Sequence, residues 1–167
     1  SFFCVSTDPA RTFVAGLSMG GYGAIKLALS YPERFAAAAT FSGALDISAR
    51  ERRMQEMTGS EKPGEREWAR EHRSIFGDPP AIAGTDRDLL HLAGELSKRT
   101  DGPRSIPIYQ ACGTEDFLYD QNTRFRDHLS GLGFDIEYRE GPGAHEWGFW
   151  DAQVRGFIEW LVDRGLL

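Results

Sequence analysis

The chain reads as an α/β protein built on a parallel sheet with helical crossovers. Two observations predict this: short apolar strand-like runs alternate with longer helical patterns, and Gly and Pro sit at the junctions. A third is a glycine-rich turn at Gly16-Leu-Ser-Met-Gly20, where a strand pattern passes directly into a helical one. At 167 residues the chain fits one domain. We read residues 1–167 as a single domain with a helical excursion over about 46–100.

The elements follow in order. Thr12 to Leu17 is short and apolar and ends at the glycine-serine turn, as a buried strand does. Met19 to Tyr31 carries Ala24, Ile25, Leu27, Ala28 and Leu29 and stops at Pro32, which predicts a helix that is apolar nearly all round. Phe35 to Phe41 is an alanine-rich apolar run too short for an independent helix, and reads as the second strand. Between Arg50 and Arg73, 13 of 24 residues are charged, seven positive and six negative, which is the pattern of a solvated helical face. Gly59, Pro63, Gly77, Pro79 and Pro80 divide that segment into short pieces, and its place in the chain suits a cap over a site. Regular alternation then resumes. Ile106 to Ala111 is the third strand, Tyr119 to Leu132 a helix stopped by Gly133, and Phe134, Ile136 and Tyr138 alternate as a fourth strand. Trp147 to about Arg164 is the last helix, with Trp150, Val154, Phe157 and Leu161 predicted as its buried stripe.

Composition excludes several classes. Hydrophobic residues at 41% and charged residues at 26% are those of an ordinary globular protein, not a disordered or collagenous one. No apolar run approaches the roughly 20 residues of a membrane helix, and the segment from Ser1-Phe-Phe-Cys4 has neither a basic n-region nor a long apolar stretch, so no signal peptide is expected in it. The net charge of −6 argues against nucleic acid or an anionic membrane as partner. Cys4 and Cys112 are too few for a disulfide scaffold; Cys112, in an apolar stretch, reads as a small buried hydrophobe. We expect a reducing, cytoplasmic setting. The histidines and cysteines lack metal-ligand spacing, so no metal and no cofactor are expected.

Gly16-Leu17-Ser18-Met19-Gly20 matches G-x-S-x-G, in which a serine sits on a sharp strand-to-helix turn. The same glycines would also suit a turn that only packs, or one that holds a phosphate at a helix N-terminus. The second use is disfavoured because neither a P-loop lysine nor G-x-G-x-x-G spacing is present. A serine nucleophile needs a base, and the base an orienting acid. In such sheets functional groups gather beyond the C-terminal ends of strands. His72 lies in the charged excursion and His91 and His128 in helical patterns, whereas His145 lies in the loop after the fourth strand. His145 is therefore the candidate base. The loop after the third strand offers Asp116 as the favoured acid, with Glu115 and Asp120 as alternatives. The order Ser18, Asp116, His145 is that of the α/β-hydrolases.

Four segments in sequence carry a resemblance: Gly16-Leu-Ser-Met-Gly-Gly-Tyr-Gly-Ala24, Ser42-Gly-Ala-Leu-Asp46, Gly113-Thr-Glu-Asp-Phe-Leu118 and His145-Glu-Trp-Gly-Phe-Trp-Asp151. They resemble the esterase D family of α/β-hydrolases, which includes tributyrin-type acetyl esterases, S-formylglutathione hydrolases, feruloyl esterases and mycolyltransferases. The acetyl esterases are most similar, and residues 50 to 100 resemble the family least. The resemblance implies a serine esterase acting on small acyl esters, with Ser18 as nucleophile, His145 as base and Asp116 as its partner. It also implies the Met19 N–H as half of an oxyanion hole. Trp147 is the foremost candidate for the acyl pocket, ahead of Phe149 and Trp150, with Tyr22 and Tyr119 further options. A formylglutathione thioesterase, an acyltransferase and an inactive truncated hydrolase module are the competing expectations.

In the family the elbow strand is central, with about four strands before it and a loop that supplies the second oxyanion N–H. Only 11 residues precede the strand here, so the resemblance implies the C-terminal portion of an α/β-hydrolase domain, N-terminally incomplete. Two expectations follow. The elbow strand lies at a sheet edge, through which the chain forms homo-oligomers. Ester hydrolysis by this chain is weak or lost unless the second donor is supplied.

Overall fold

The computed structural model describes residues 6–56, 63–77, 81–103 and 105–167. Cys4 and the breakers Gly59, Pro79 and Pro80 lie outside the described residues. Four strands, β1 (Phe13–Leu17), β2 (Ala37–Phe41), β3 (Ile108–Gly113) and β4 (Ile136–Gly141), form one sheet in the order β1-β2-β3-β4. All three pairings are parallel, with Gly16 beside Thr40, Thr40 beside Gln110 and Gln110 beside Tyr138. Parallel neighbours require crossovers, and helices supply them. These are α1 (Ser18–Ser30), α2 (Ile47–Glu56), α3 (Pro63–Phe76), α4 (Leu89–Ser97), α5 (Tyr119–Gly131) and α6 (Trp147–Asp163).

The central strands are buried on both faces, and their side chains alternate between two cores. Ala38 and Ile108 join one core with Ile25, Ala28, Leu29, Leu89, Phe125 and Leu129 from α1, α4 and α5. Ala37, Ala39, Phe41, Tyr109 and Ala111 join the other, against Phe149, Trp150, Phe157, Trp160 and Leu161 of α6. This is the period-two rule of a strand covered on both sides. The alanines of β2 are its consequence, since small side chains let α1 and α6 approach from opposite faces.

The excursion is helical as expected, running through α2, α3 and α4. Asp46, buried before α2, accepts the Ala49 N–H at 2.8 Å and binds Arg124 of α5 at 3.1 Å. Strands β3 and β4 each begin two residues later than the sequence pattern suggests and end at a glycine. On α6 the buried stripe includes Trp150, Phe157 and Leu161, but Val154 is 40% exposed. The helix is turned by Tyr109, whose hydroxyl donates to Gln153 Oε1 at 3.0 Å and sits 2.6 Å from where a Cβ of Gly156 would be. Packing Gly156 and Gln153 on the sheet rotates Val154 outward.

β1 is an edge strand, as expected: among the described residues it pairs only with β2. Its side chains are half-buried, and Ala15 is exposed. Among the described residues no helix is long and apolar enough to cross a membrane.

Candidate active site

The site lies at the C-terminal ends of β1, β2, β3 and β4, where the chain leaves each strand in a tight turn. Ser18 opens α1 directly after β1 with φ of 52°. A left-handed conformation at a non-glycine residue costs about 1–3 kcal/mol, and the surrounding packing has to hold it. Gly16 permits the turn: a Cβ there would lie 2.1 Å from the Gly20 carbonyl oxygen. Gly21 permits the approach to the sheet, since its Cβ would meet Thr40 Oγ1 at 2.4 Å. A Cβ at Gly20 or Gly23 would meet nothing within 4 Å. Of the two glycines of the G-x-S-x-G pattern, only Gly16 is required by contact, and Gly21 beyond it is the other tight position.

The His145 ring lies between Ser18 and Asp116. Nε2 is 3.0 Å from Ser18 Oγ, and Nδ1 is 2.9 Å from Asp116 Oδ2. An ionised carboxylate only accepts, so in the neutral ring Nδ1–H donates to Asp116 and Nε2 accepts from the Ser18 hydroxyl. The Asp116 side chain is fully buried, and its second oxygen accepts the Leu118 N–H at 2.8 Å. Of the three acids the sequence offers, Asp116 reaches the imidazole. Asp120 is exposed in the first turn of α5.

Glu115 has another task. Its carboxylate accepts the Gly143 N–H, and its own N–H donates to the Gly143 carbonyl at 3.1 Å. The Thr114 N–H donates to the Gly141 carbonyl at 2.9 Å. Gly113 lies so close that a Cβ would be 2.0 Å from the Gly143 oxygen. The loop bearing Asp116 and the loop bearing His145 are thus tied together along both backbones. Gly143, with φ of 147°, leaves room for Phe149, whose Cδ2 would stand 2.8 Å from a Cβ.

A second brace runs under the site. Ser42, at the end of β2, takes φ of 46°, its N–H donating to the Ala111 carbonyl at 2.7 Å. The turn lets the Ala44 N–H donate to the Ser18 carbonyl at 3.1 Å. Buried Asn122 donates to the carbonyls of Gly43 and Leu118, both at 3.0 Å, and Gln110 Nε2 donates to Asn122 Oδ1 at 3.1 Å. These residues hold the elbow and the Asp116 loop in one frame. Sequence reasoning missed Ser42 as a strained residue and missed Asn122 entirely; no local pattern marks either.

Met19 follows Ser18 in the first turn of α1, so its N–H lies at the positive end of that helix. Trp147 is 73% exposed, and its ring packs edge-on to Trp150 at 5.4 Å. Trp150 is buried and perpendicular to His145 at 4.8 Å, and Phe149 is buried behind the loop. Tyr22 does not enter the site: its hydroxyl donates to the Arg87 carbonyl at 2.9 Å, and burial pushes its pKa up to about 12. Tyr119 donates to Glu140 at 2.8 Å, and that bond raises its pKa. Phe117, which the sequence reading passed over, is 75% exposed with its ring 4.7 Å from His145. Its place directly after Asp116 was the available signal. Cys112 is fully buried, and burial pushes its thiol up to about 12, which keeps it protonated and inert.

A parallel sheet with helical crossovers and a strained serine between strand and helix is the architecture of the α/β-hydrolases. Residues 4–160 match the family model described as "Putative esterase", and the chain belongs to that family. It is 35% identical over 164 residues to an acetyl esterase of Caldicellulosiruptor saccharolyticus, covering 96% of this chain and 58% of that protein. Among solved structures it is similar to the fluorophosphonate-binding serine hydrolase FphF of Staphylococcus aureus, with a TM-score of 0.78 and 28% identity. The match covers 96% of this chain and 58% of FphF. It is also similar to the S-formylglutathione hydrolase FrmB of Staphylococcus aureus, with a TM-score of 0.73 and 29% identity. That match covers 96% of this chain and 57% of FrmB. The chain thus spans somewhat more than half the length of these relatives.

Proposed function

We propose that the protein is a serine carboxylesterase that hydrolyses short-chain acyl esters. The observation that carries this reading is the hydrogen-bonded line from Ser18 Oγ through His145 to the buried Asp116 carboxylate. In the proposed mechanism, Ser18 Oγ attacks the ester carbonyl carbon as His145 Nε2 takes its proton. Asp116 holds the ring in the tautomer that can accept that proton and stabilises the imidazolium. The Met19 N–H, at the α1 N-terminus, donates to the developing oxyanion; such a donor is worth on the order of 100-fold to 1,000-fold in rate. The C–O bond to the alcohol then breaks, and the leaving oxygen takes the proton from Nε2. Water deprotonated by His145 attacks the acyl carbon, the bond to Ser18 Oγ breaks, and Oγ takes the proton back from Nε2 as the acid leaves. Trp147, open to solvent beside the aromatic pair, is proposed as a substrate contact.

The test is hydrolysis of p-nitrophenyl acetate and butyrate by the protein beside its Ser18→Ala variant. Turnover that depends on Ser18 supports the reading, and equal rates overturn it. Equal rates would favour the inactive-module reading. The similarity to FrmB supports a thioesterase as the second reading. A strong preference for S-formylglutathione over both p-nitrophenyl esters would establish it.

A further inference from the structure

We propose that Phe117 binds the alcohol portion of the ester, so that the favoured substrates carry an uncharged aryl group on the leaving side. This rests on the esterase reading above and adds the class of leaving group. The argument begins with the imidazole. Two rings touch it among the described residues, Phe117 at 4.7 Å and Trp150 at 4.8 Å. Trp150 is buried, whereas Phe117 is open to solvent. The backbone at Phe117 is anchored on both sides. It lies between Asp116, anchored on His145, and Leu118, buried with its N–H on Asp116 Oδ1. A large apolar ring is thus held exposed beside the candidate base by a turn that the triad itself requires. Exposed single hydrophobics are ordinary, but one in ring contact with a candidate catalytic histidine has a defined neighbour in the reaction.

Reaction geometry fixes that neighbour. When the acyl-enzyme forms, the leaving oxygen takes its proton from His145 Nε2, so it must lie within about 2.6–3.2 Å of that atom. The first carbons of the alcohol therefore lie close to the imidazole, within reach of the exposed Phe117 ring whose centroid is 4.7 Å from it. A flat apolar alcohol can stack offset or edge-on against Phe117, as aromatic pairs prefer. The charge nearby selects further. Glu146 follows His145 and is exposed, and Glu115, also exposed, binds the same loop at Gly143. Two carboxylates on this rim disfavour an anionic leaving group.

The acyl-enzyme formed from any acetate ester is the same species, so a leaving-group preference must appear in kcat/KM, which reports acylation. Benzyl and methyl acetate suit the test because their alcohols have nearly equal acidity and differ chiefly in the ring. We expect the protein to favour benzyl acetate, and Phe117→Ala to lower the benzyl-to-methyl ratio of kcat/KM by roughly tenfold. Phe117→Trp, which restores a ring, should recover most of the ratio. An unchanged ratio in Phe117→Ala overturns the inference, as does an equal fall on both esters, which would mean that Phe117 acts by positioning His145. In either case Ser18-dependent turnover of p-nitrophenyl acetate leaves the esterase reading standing. Loss of that dependence overturns both.

Discussion

Glu115 and Gly143 are joined twice, the Glu115 N–H to the Gly143 carbonyl at 3.1 Å and the Gly143 N–H to the Glu115 carboxylate. They sit one residue before Asp116 and two before His145. The carboxylate that competes in sequence for the role of acid is in the structure a clamp on the His145 loop. The two hydrogen bonds of this clamp, the Thr114 N–H on the Gly141 carbonyl and the Asp116–His145 pair make the distance from Nε2 to Ser18 a property of two loops together.

Glu115 is therefore expected to act as a positioning residue. Glu115→Ala should lower kcat for p-nitrophenyl acetate by about tenfold to 100-fold with KM little changed, since misplacing a reacting group by about 1 Å costs on that order. Glu115→Gln keeps an acceptor for the Gly143 N–H and should restore most of kcat. A Gln variant as slow as Ala would show that the charge, not the hydrogen bond, is what matters.

Gly16 and Gly20 flank Ser18 alike in sequence, and the structure separates them. Gly16→Ala puts a Cβ 2.1 Å from a backbone oxygen, which only a shift of the elbow can relieve. We expect a loss of about 1–3 kcal/mol in unfolding free energy together with loss of Ser18-dependent turnover. Gly20→Ala meets open space and, being helical, should be neutral to slightly stabilising. Thermal melts of the two variants check this, and similar melts would contradict the close contact.

Cys112 should resist alkylation in the folded protein. Its thiol is pushed from 9.0 up to about 12 by burial, ahead of the charge of Asp116. Because the folded value is the raised one, the neutral thiol's contribution to stability is fully present below pH 9.0 and is lost as pH rises toward about 12. Peptide mass spectrometry after iodoacetamide treatment at pH 8 should find Cys112 unmodified unless denaturant is added. Rapid labelling of the native protein would refute the buried placement.

The free edge of β1 leads us to propose self-association. Its outer N–H and C=O groups have no partner strand among the described residues, and Phe13 and Val14 are only half-buried. The outer face of α6 adds Val154, Ile158 and Val162, each at least 40% exposed. Light scattering at micromolar concentration should give a mass above that of one chain, and Val14→Lys should lower it. A monomer throughout that range would sink the proposal.

Much of this arrangement is written in local pattern. Ser18 is legible because a left-handed turn between strand and helix needs small neighbours, and Gly16 supplies one at the position where a side chain would strike backbone. His145 is legible because it is the histidine placed beyond a strand, where parallel sheets present their loops. The element order follows from runs whose length and period differ between strand and helix. Tertiary structure decided the rest. The sequence favoured Asp116 but left Glu115 and Asp120 open, since the choice depends on which carboxylate faces a loop 29 residues away. It could not give Phe117 its place beside the imidazole, Asn122 its two carbonyls, or α6 the rotation that exposes Val154. Each of these is a contact between segments remote in the chain, and periodicity records which face of an element is apolar without recording what that face meets.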